Sequence, residues 1–340
     1  MKNKILFCLC AVVIVLAVAC STDKDKKIPD VSKIPIEIKL QRFDKELLSM
    51  DTNQAAAGLK MLREKYPKGF MDIFISKILL DEQNPNLAPE KVLEGFVKFP
   101  SIRKLLDTCQ IVYGEGADLE RDFSSAFKYY KYYFPQKPTP QVVTFVSEYG
   151  LGAFTYGDST LAIGLDFFLG ENYPAYDGIF PNYIRRTLTK PHLVSKAVEA
   201  IANDLVGLPP GNRLLDVMIQ NGKMLYVKDL LLPNMPDSIK LEYTQQQVKW
   251  CEENEKNIWA QFLSQNLLYS VKMDEIRKLV SPSPNAPGMP AEAPGRTANW
   301  IGLQIIQAFM QQNPSVSPEQ MLAINNAQVI LDRSKYKPKR

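Results

Sequence analysis

The sequence predicts an α+β domain, mostly helical, in which a small and mainly antiparallel sheet stands between two helical blocks. Three observations carry this. Residues 142–165 hold three strand-like apolar runs, Val142–Val146, Ala153–Tyr156 and Thr160–Leu165. Gly157-Asp158-Ser159 joins the last two, and Gly and Asp accept the positive φ that a tight hairpin needs. On both sides of this stretch, apolar residues recur at helical rather than alternating spacing. At 340 residues, 46% hydrophobic and 23% charged, the chain is long enough to bury a sizeable core.

Lys2 and Lys4 precede an apolar run from Ile5 to Ala19, which predicts a secretory signal over residues 1–19. The run is short for a spanning helix. Its end, Leu-Ala-Val-Ala-Cys20, resembles the bacterial lipobox, in which the thiol is acylated and becomes the mature N-terminus. An uncleaved membrane anchor is the alternative. Ser21 rather than Asp follows the cysteine, which favours an outer-membrane address; the sequence does not choose between the periplasmic and the outer face. Residues 20–30 then form a polar, lipidated tether, leaving 31–340 as the folded domain. Without Lys2 and Lys4 the chain carries 39 basic against 37 acidic side chains, and no basic stripe stands before the last seven residues. That balance gives no argument for a nucleic-acid partner. With Cys8 and Cys10 in the signal and Cys20 on lipid, Cys109 and Cys251 remain, as one disulfide or as two buried thiols.

Ile34-Pro-Ile-Glu-Ile-Lys-Leu40 alternates apolar and polar, so Ile36–Leu40 is expected as a one-sided strand joining the sheet, with Pro35 at its start or on an edge. Helices are expected over 55–66, 70–80, 89–97, 101–112 and 119–132, with Asp51, Ser101 and Asp118 as caps. Phe123/Phe127 and Tyr129/Tyr133 lie four apart and pack one helix face; a ligand cleft lined by them is the alternative. Pro135–Pro140 breaks this block from the sheet. Ser195 is expected to cap a central helix to Val206, with Val198, Ile201, Ala202 and Leu205 facing the core. Asn212 opens a further helix, which Asn221-Gly222 should stop. Glu242–Tyr269 reads as one long helix, Val280–Arg296 as a proline-rich loop, and Trp300–Met310 and Pro318–Arg333 as the last two helices.

The single histidine, His192, excludes any site that needs two imidazoles. On the 195–206 helix the four-apart pairs are Ala197/Ile201, Val198/Ala202, Glu199/Asn203 and Ala200/Asp204, none of which supplies two metal ligands. Gly157-Asp158 with Asp166 and Glu171 is too sparse for a calcium loop. There is no Gly-x-Ser-x-Gly elbow, and Gly150-Leu-Gly152 lacks the rest of a phosphate loop. Pairs such as Asp158/Asp166 or Glu199/Asp204 occur in every globular protein. No catalytic residue, metal site or cofactor is therefore expected, and His192 reads as a lone exposed or hydrogen-bonding histidine ahead of the helix cap. What remains is the Gly, Pro and Tyr-rich excursion before that helix. Tyr173, Tyr176, Tyr183 and Arg185 are its candidate partner-binding groups, because aromatic and arginine side chains anchor interfaces. Tyrosines that only cover the core are the alternative.

Together these pieces resemble the gliding-motility lipoprotein GldB family. The resemblance is carried by Ile36-Glu-Ile-Lys-Leu-Gln-Arg-Phe-Asp44, Tyr66-Pro67, Gly164-Leu-Asp-Phe-Phe-Leu-Gly170, Tyr173-Pro174, Pro181-Asn-Tyr183, Gly222-Lys-Met-Leu-Tyr226 and Leu267-Leu-Tyr-Ser270. It closes on Pro294-Gly-Arg296, Trp300-Ile-Gly302 and Ser334-Lys-Tyr-Lys-Pro-Lys-Arg340, and departs in the proline-rich Ser281–Ala293. It implies a lipid-anchored envelope protein of Bacteroidetes-type bacteria, associated with gliding motility and its linked secretion system, with other envelope proteins as partners. The order of elements also looks like putative zinc proteases of the zincin type, in which the 195–206 helix would carry the ligands. Here it carries none. The expectation is a zincin-like scaffold that binds rather than cuts, with a cleft beside the central helix; a surviving envelope peptidase is the alternative.

Overall fold

The computed structural model describes residues 28–80 and 87–339, so the signal segment, Cys20 and most of the tether lie outside the described residues. Residues 28–33 belong to a first unit, Met1–Lys33, and all later residues to a second, Ile34–Arg340.

In the second unit the first helical block follows its apolar periodicity closely. After strand β1 (Leu40–Arg42) come α1 (Phe43–Ser49), α2 (Ala55–Lys65) and α3 (Lys68–Ile73), which runs on into a π-helical turn, Phe74–Leu79. Then follow α4 (Pro89–Lys98), α5 (Pro100–Tyr113) and α6 (Ala117–Tyr133). Proline sits in the first turns of α4 and α5, where its missing N–H goes unneeded. Ser101 therefore stands inside its helix, and Asp118 stands inside α6, where Gly116 holds the cap position. Asp51 caps a short turn at Thr52–Gln54, its side chain accepting from the Asn53 amide. Phe43 anchors the block: its ring meets Phe74 edge-on at 4.6 Å and Phe70 and Tyr66 at 4.9 Å. Phe123 and Phe127 are fully buried, so the aromatic face of α6 is core.

The sheet is β2 (Gln141–Phe145), β3 (Ala153–Tyr156) and β4 (Thr160–Gly164) with β1, in the order β1-β2-β4-β3. The expected hairpin is present: β3 pairs antiparallel with β4, Phe154 opposite Ala162, and Gly157 turns at φ +51°. The expected antiparallel character is otherwise corrected. β1 runs parallel to β2, and β2 parallel to β4. The whole of α1–α6 is the crossover that a parallel β1–β2 pair requires. Such pairing is a matter of topology, which strand-like composition does not reveal. β1 is also shorter and later than Ile36–Leu40. Two side chains of α6 take the amides a strand would have used: Ile38 N–H donates to Ser124 Oγ at 2.8 Å and Leu40 N–H to Glu120 Oε1 at 3.0 Å. A buried clamp then fixes β1 to β2. Asp44 pairs with Arg42 at 2.7 Å and accepts from Thr144 Oγ1 at 2.6 Å.

Past the sheet come α7 (Asn182–Arg185), α8 (Lys190–Val206), α9 (Leu214–Leu231) and α10 (Asp237–Leu241). They are followed by α11 (Gln245–Glu253), α12 (Glu255–Ser264), α13 (Met273–Val280), α14 (Thr297–Gln312), α15 (Pro318–Leu322) and α16 (Ala327–Ser334). The central helix α8 starts five residues before Ser195, which is buried within it, and Thr189 holds the N-cap position. Asn221-Gly222 does not stop α9. Gly222 instead lets α9 and α14 cross at backbone contact: a Cβ there would lie 2.3 Å from the Gly302 carbonyl carbon, and one on Gly302 2.0 Å from Met218 O. The expected long helix from Glu242 to Tyr269 is two helices and a 3-10 turn, Leu267–Tyr269, because Asn254 leaves helical geometry and Asn266 is left-handed at φ +52°; Glu242 itself lies outside, at φ +58°. Pro318–Arg333 is likewise two helices. The loop before α14 is as expected, and Ile301, Ile305, Ile306 and Phe309 of α14 are fully buried. Cys109 and Cys251 are buried free thiols, without a disulfide. Among the described residues no helix is long and apolar enough to cross a membrane.

Candidate functional site

Helix α8 has two chemically different sides. Leu193, Ala197, Val198, Ile201 and Ala202 are buried, as an apolar periodicity of three and four residues demands. Lys196, Glu199, Ala200 and Asn203 follow the same spacing on another side, and they floor a cavity of about 330 Å³. Its walls are Phe167 and Phe168 after β4, Phe180, Ile184, Thr187 and Leu188 of the 170–189 excursion, Gly152 and Ala153 at the start of β3, and Pro282. The sheet ends on β3, so the cavity opens beside an edge strand. This is the cleft expected beside the central helix.

Beneath the cavity lies an ion network that sequence reading missed. Lys228 is fully buried in α9 and donates to Glu199 Oε2 at 2.6 Å; Lys196 Nζ stands 3.5 Å from Glu199 Oε1 and also pairs with Glu242. Glu242 accepts from Arg296 Nη1 at 2.9 Å, while Arg296 Nη2 reaches Leu241 O at 3.0 Å. Arg186 Nη2 donates to the Glu242 carbonyl at 3.3 Å. Burial alone would raise the Glu242 carboxyl, yet Lys196, Arg296 and Lys228 override it and hold the group far below the usual carboxylate range. Glu242 and Arg296 are both non-glycine residues at positive φ, +58° and +62°. Such strain persists only where surrounding contacts over-determine it. The sequence did not mark these charges out, because both helices carry several others; only burial shows that they must be paired.

The excursion hangs on a second buried carboxylate. Asp166, with no exposed surface, accepts from Tyr149 N–H at 2.7 Å and Ser147 N–H at 3.2 Å through Oδ2. Those bonds hold Glu148 and Tyr149 at φ +54° and +65°. Burial pushes the Asp166 carboxyl up to about 6, against the two backbone bonds that pull it down. Tyr176 corrects the expectation of an exposed contact residue: it is 0% exposed. Its hydroxyl donates to Asp166 O at 2.6 Å and accepts from Leu169 N–H at 3.0 Å, and its ring meets Tyr149, Tyr173 and Phe180 within 5.6 Å. Tyr176 pins the excursion down. Tyr173 is half-buried against it, Arg185 is tied to Asp177 and Asn182, and only Tyr183 approaches the cleft, in the recess that Arg186, Glu242 and Arg296 also line. The four expected contact residues therefore do not form one patch.

His192 is buried in the first turn of α8, with Nδ1 2.8 Å from Thr189 Oγ1. Burial pushes it down to about 4, and Lys196, Lys228 and Arg186 add to the shift. Four residues on from His192 stands Lys196, and four on from Glu199 stands Asn203, so α8 offers no pair of metal ligands. Among the described residues no group of three or more His, Cys, Asp or Glu is placed to hold a metal ion.

Comparison with curated proteins and with solved structures gives no match. A family model described as gliding motility protein GldB matches residues 24–338. That span takes in the sheet, the excursion, α8 and the ion network together, and the chain belongs to the gliding motility protein GldB family.

Proposed function

We propose that this chain is a non-catalytic, lipid-anchored component of the cell-envelope gliding-motility machinery and its associated secretion system. On this reading Cys20 carries the acyl groups and holds the protein at the outer membrane. Two chains on one residue suffice for stable anchoring, whereas one is marginal. The folded domain then acts by holding an extended segment of another envelope protein in the groove between β3, α8 and the excursion.

One observation supports the binding role above the others: the cleft side of α8 presents charges already tied into a salt-bridge network, beside an edge strand and apolar walls. An edge strand offers unpaired backbone groups to an added strand, and the apolar walls offer places for its side chains. A zincin-like scaffold built this way keeps the shape of a peptide site. It lacks an electrophile among its own side chains to polarise a carbonyl.

Ala200 lines the groove, so Ala200→Trp should fill it. Co-purification of envelope partners is expected to drop at least about tenfold while the melting temperature moves by a few degrees. Wild-type recovery of partners by this variant would sink the binding reading, as would stoichiometric zinc with peptide cleavage in the wild-type protein. The anchor has its own test. Cys20→Ser should lose palmitate label and leave the membrane fraction; continued membrane attachment would end the lipoprotein assignment.

A further inference from the structure

We infer that an extended peptide joins the sheet as a further strand on β3, bonded through the backbones of Ala153 and Thr155, and that the residue it sets opposite Ala153 is large and uncharged and fills the cavity over α8. The inference rests on the reading of the groove as a site for an extended segment, and gives that segment its register and its anchor side chain.

Backbone parity is the first ground. Ala153 stands opposite Ile163, so Gly152 stands opposite Gly164, and Gly164 N–H donates to Gly152 O at 2.8 Å. Bonded and non-bonded pairs alternate along an antiparallel ladder. Phe154 and Tyr156 therefore turn their N–H and C=O toward β4, while Ala153 and Thr155 turn theirs to the outer edge. Neither of those two amides has a hydrogen-bond partner among the described residues, and both residues are partly exposed. The opposite edge of the sheet is closed. Beside β1, the amides of Ile38 and Leu40 are taken by Ser124 and Glu120 of α6. On β3 the outward groups recur at the two-residue spacing of a strand, which is the set of donors and acceptors an added strand uses.

Side-chain alternation is the second ground. Phe154 faces the first helical block, where its ring stacks on Phe70 at 6.3 Å. Ala153 faces the other way, over α8, and lines the cavity. Residues opposite one another in paired strands share a face, whichever way the strands run, so the incoming residue across from Ala153 points to the cavity. Gly152 and Ala153 are small and leave that space open, and Phe167, Phe168, Phe180 and Leu188 wall it with apolar surface. The charges that line it are already matched: Lys196 pairs with both Glu199 and Glu242. A charged side chain would give up water there without gaining a counter-ion. At about 330 Å³ the cavity is near the lower end of the roughly 300–1,000 Å³ of small-ligand pockets, which suits one large side chain.

The test uses the full-length protein in detergent, immobilised, and capped pentapeptide pools whose third residue is Phe, Ala or Lys and whose other residues are drawn from Ser, Thr and Val. Retention of the Phe pool should exceed that of the Ala and Lys pools by about tenfold or more, and Ala200→Trp should erase it. Methylating alternate amides of the Phe pool, in two complementary sets, should abolish retention for one set and spare the other, because only every second amide of an added strand faces β3. Thr155→Pro removes an outward N–H that the sheet does not use, and should weaken retention about tenfold, whereas Thr155→Val keeps it. The methylated pools make the same cut without altering the protein. Peptides that are retained and blocked by Ala200→Trp, but lose retention equally in both methylated sets or in neither, would overturn the strand pairing and leave the groove reading standing. Equal retention of the Phe and Ala pools would overturn the anchor side chain. Retention of no pool would overturn this inference and the groove reading together.

Discussion

Asp166 and Glu242 are both buried carboxylates, and the structure treats them in opposite ways. Asp166 accepts from two backbone N–H donors in a loop at positive φ, no ion pair to it is found among the described residues, and burial raises its proton affinity. Around Glu242 three cations converge, and its proton affinity falls far below normal. Burial is the same; the counter-charge decides. The Asp166 region is a structural clamp that fixes where the excursion leaves the sheet. The Glu242 region is a charged platform under a cleft.

The sharpest way to break this comparison is at Glu242. Glu242→Gln leaves Lys196 and Arg296 part-buried without their shared anion, and should cost about 3–5 kcal/mol by chemical denaturation at pH 7. A loss under about 1 kcal/mol would show that the network is solvated and not a platform.

Asp166 should respond to pH instead. Its folded pKa is raised from 3.8 to about 6, so its contribution to stability is full below 3.8 and is lost as pH rises through about 6. Asp166→Asn removes that loss. Relative to wild type, the variant should gain about 3 kcal/mol between pH 4 and pH 7. A pH-independent difference would contradict the raised pKa. His192 has the opposite sign. Its folded pKa is depressed from 6.5 to about 4, so its contribution is present above 6.5 and lost as pH falls toward 4. The two slopes oppose each other between pH 4 and 6, and His192→Gln should therefore unmask a wild-type curve that looks nearly flat, by a similar amount.

The smallest expected effect is at Arg185. Its pair with Asp177 lies at the surface, where such contacts are worth about 0–1 kcal/mol. Arg185→Ala should shift stability by less than that, and leave partner recovery unchanged because Arg185 does not line the cleft. A strong binding defect would return the excursion's outer face to the interface.

The contrast also shows what this sequence discloses. The β3–β4 hairpin and the helices of the first block were legible because turn chemistry and apolar spacing are local. Strand direction was not, since it depends on a helical crossover between β1 and β2. Gly222 misled for a related reason: the residue that forbids a side chain there, Gly302, comes from a helix 80 positions on. Tyr176 misled because a tyrosine in a Gly and Pro-rich stretch reads the same whether it faces water or caps a buried carbonyl. The ion network was hidden by distance in sequence: Lys228 and Glu199 stand 29 positions apart, in helices that carry other charges as well.

The central claim is that the cleft side of α8 is an occupied binding surface in the envelope. A photo-crosslinking side chain at Asn203, in otherwise native full-length protein in its own membranes, tests it most directly, with the same group at Ile111 as control because that residue is 83% exposed and away from the cleft. The account expects one discrete adduct from position 203, absent from 111 and lost when Ala200→Trp is added. Adducts of equal yield at both positions, or none at 203, would contradict it.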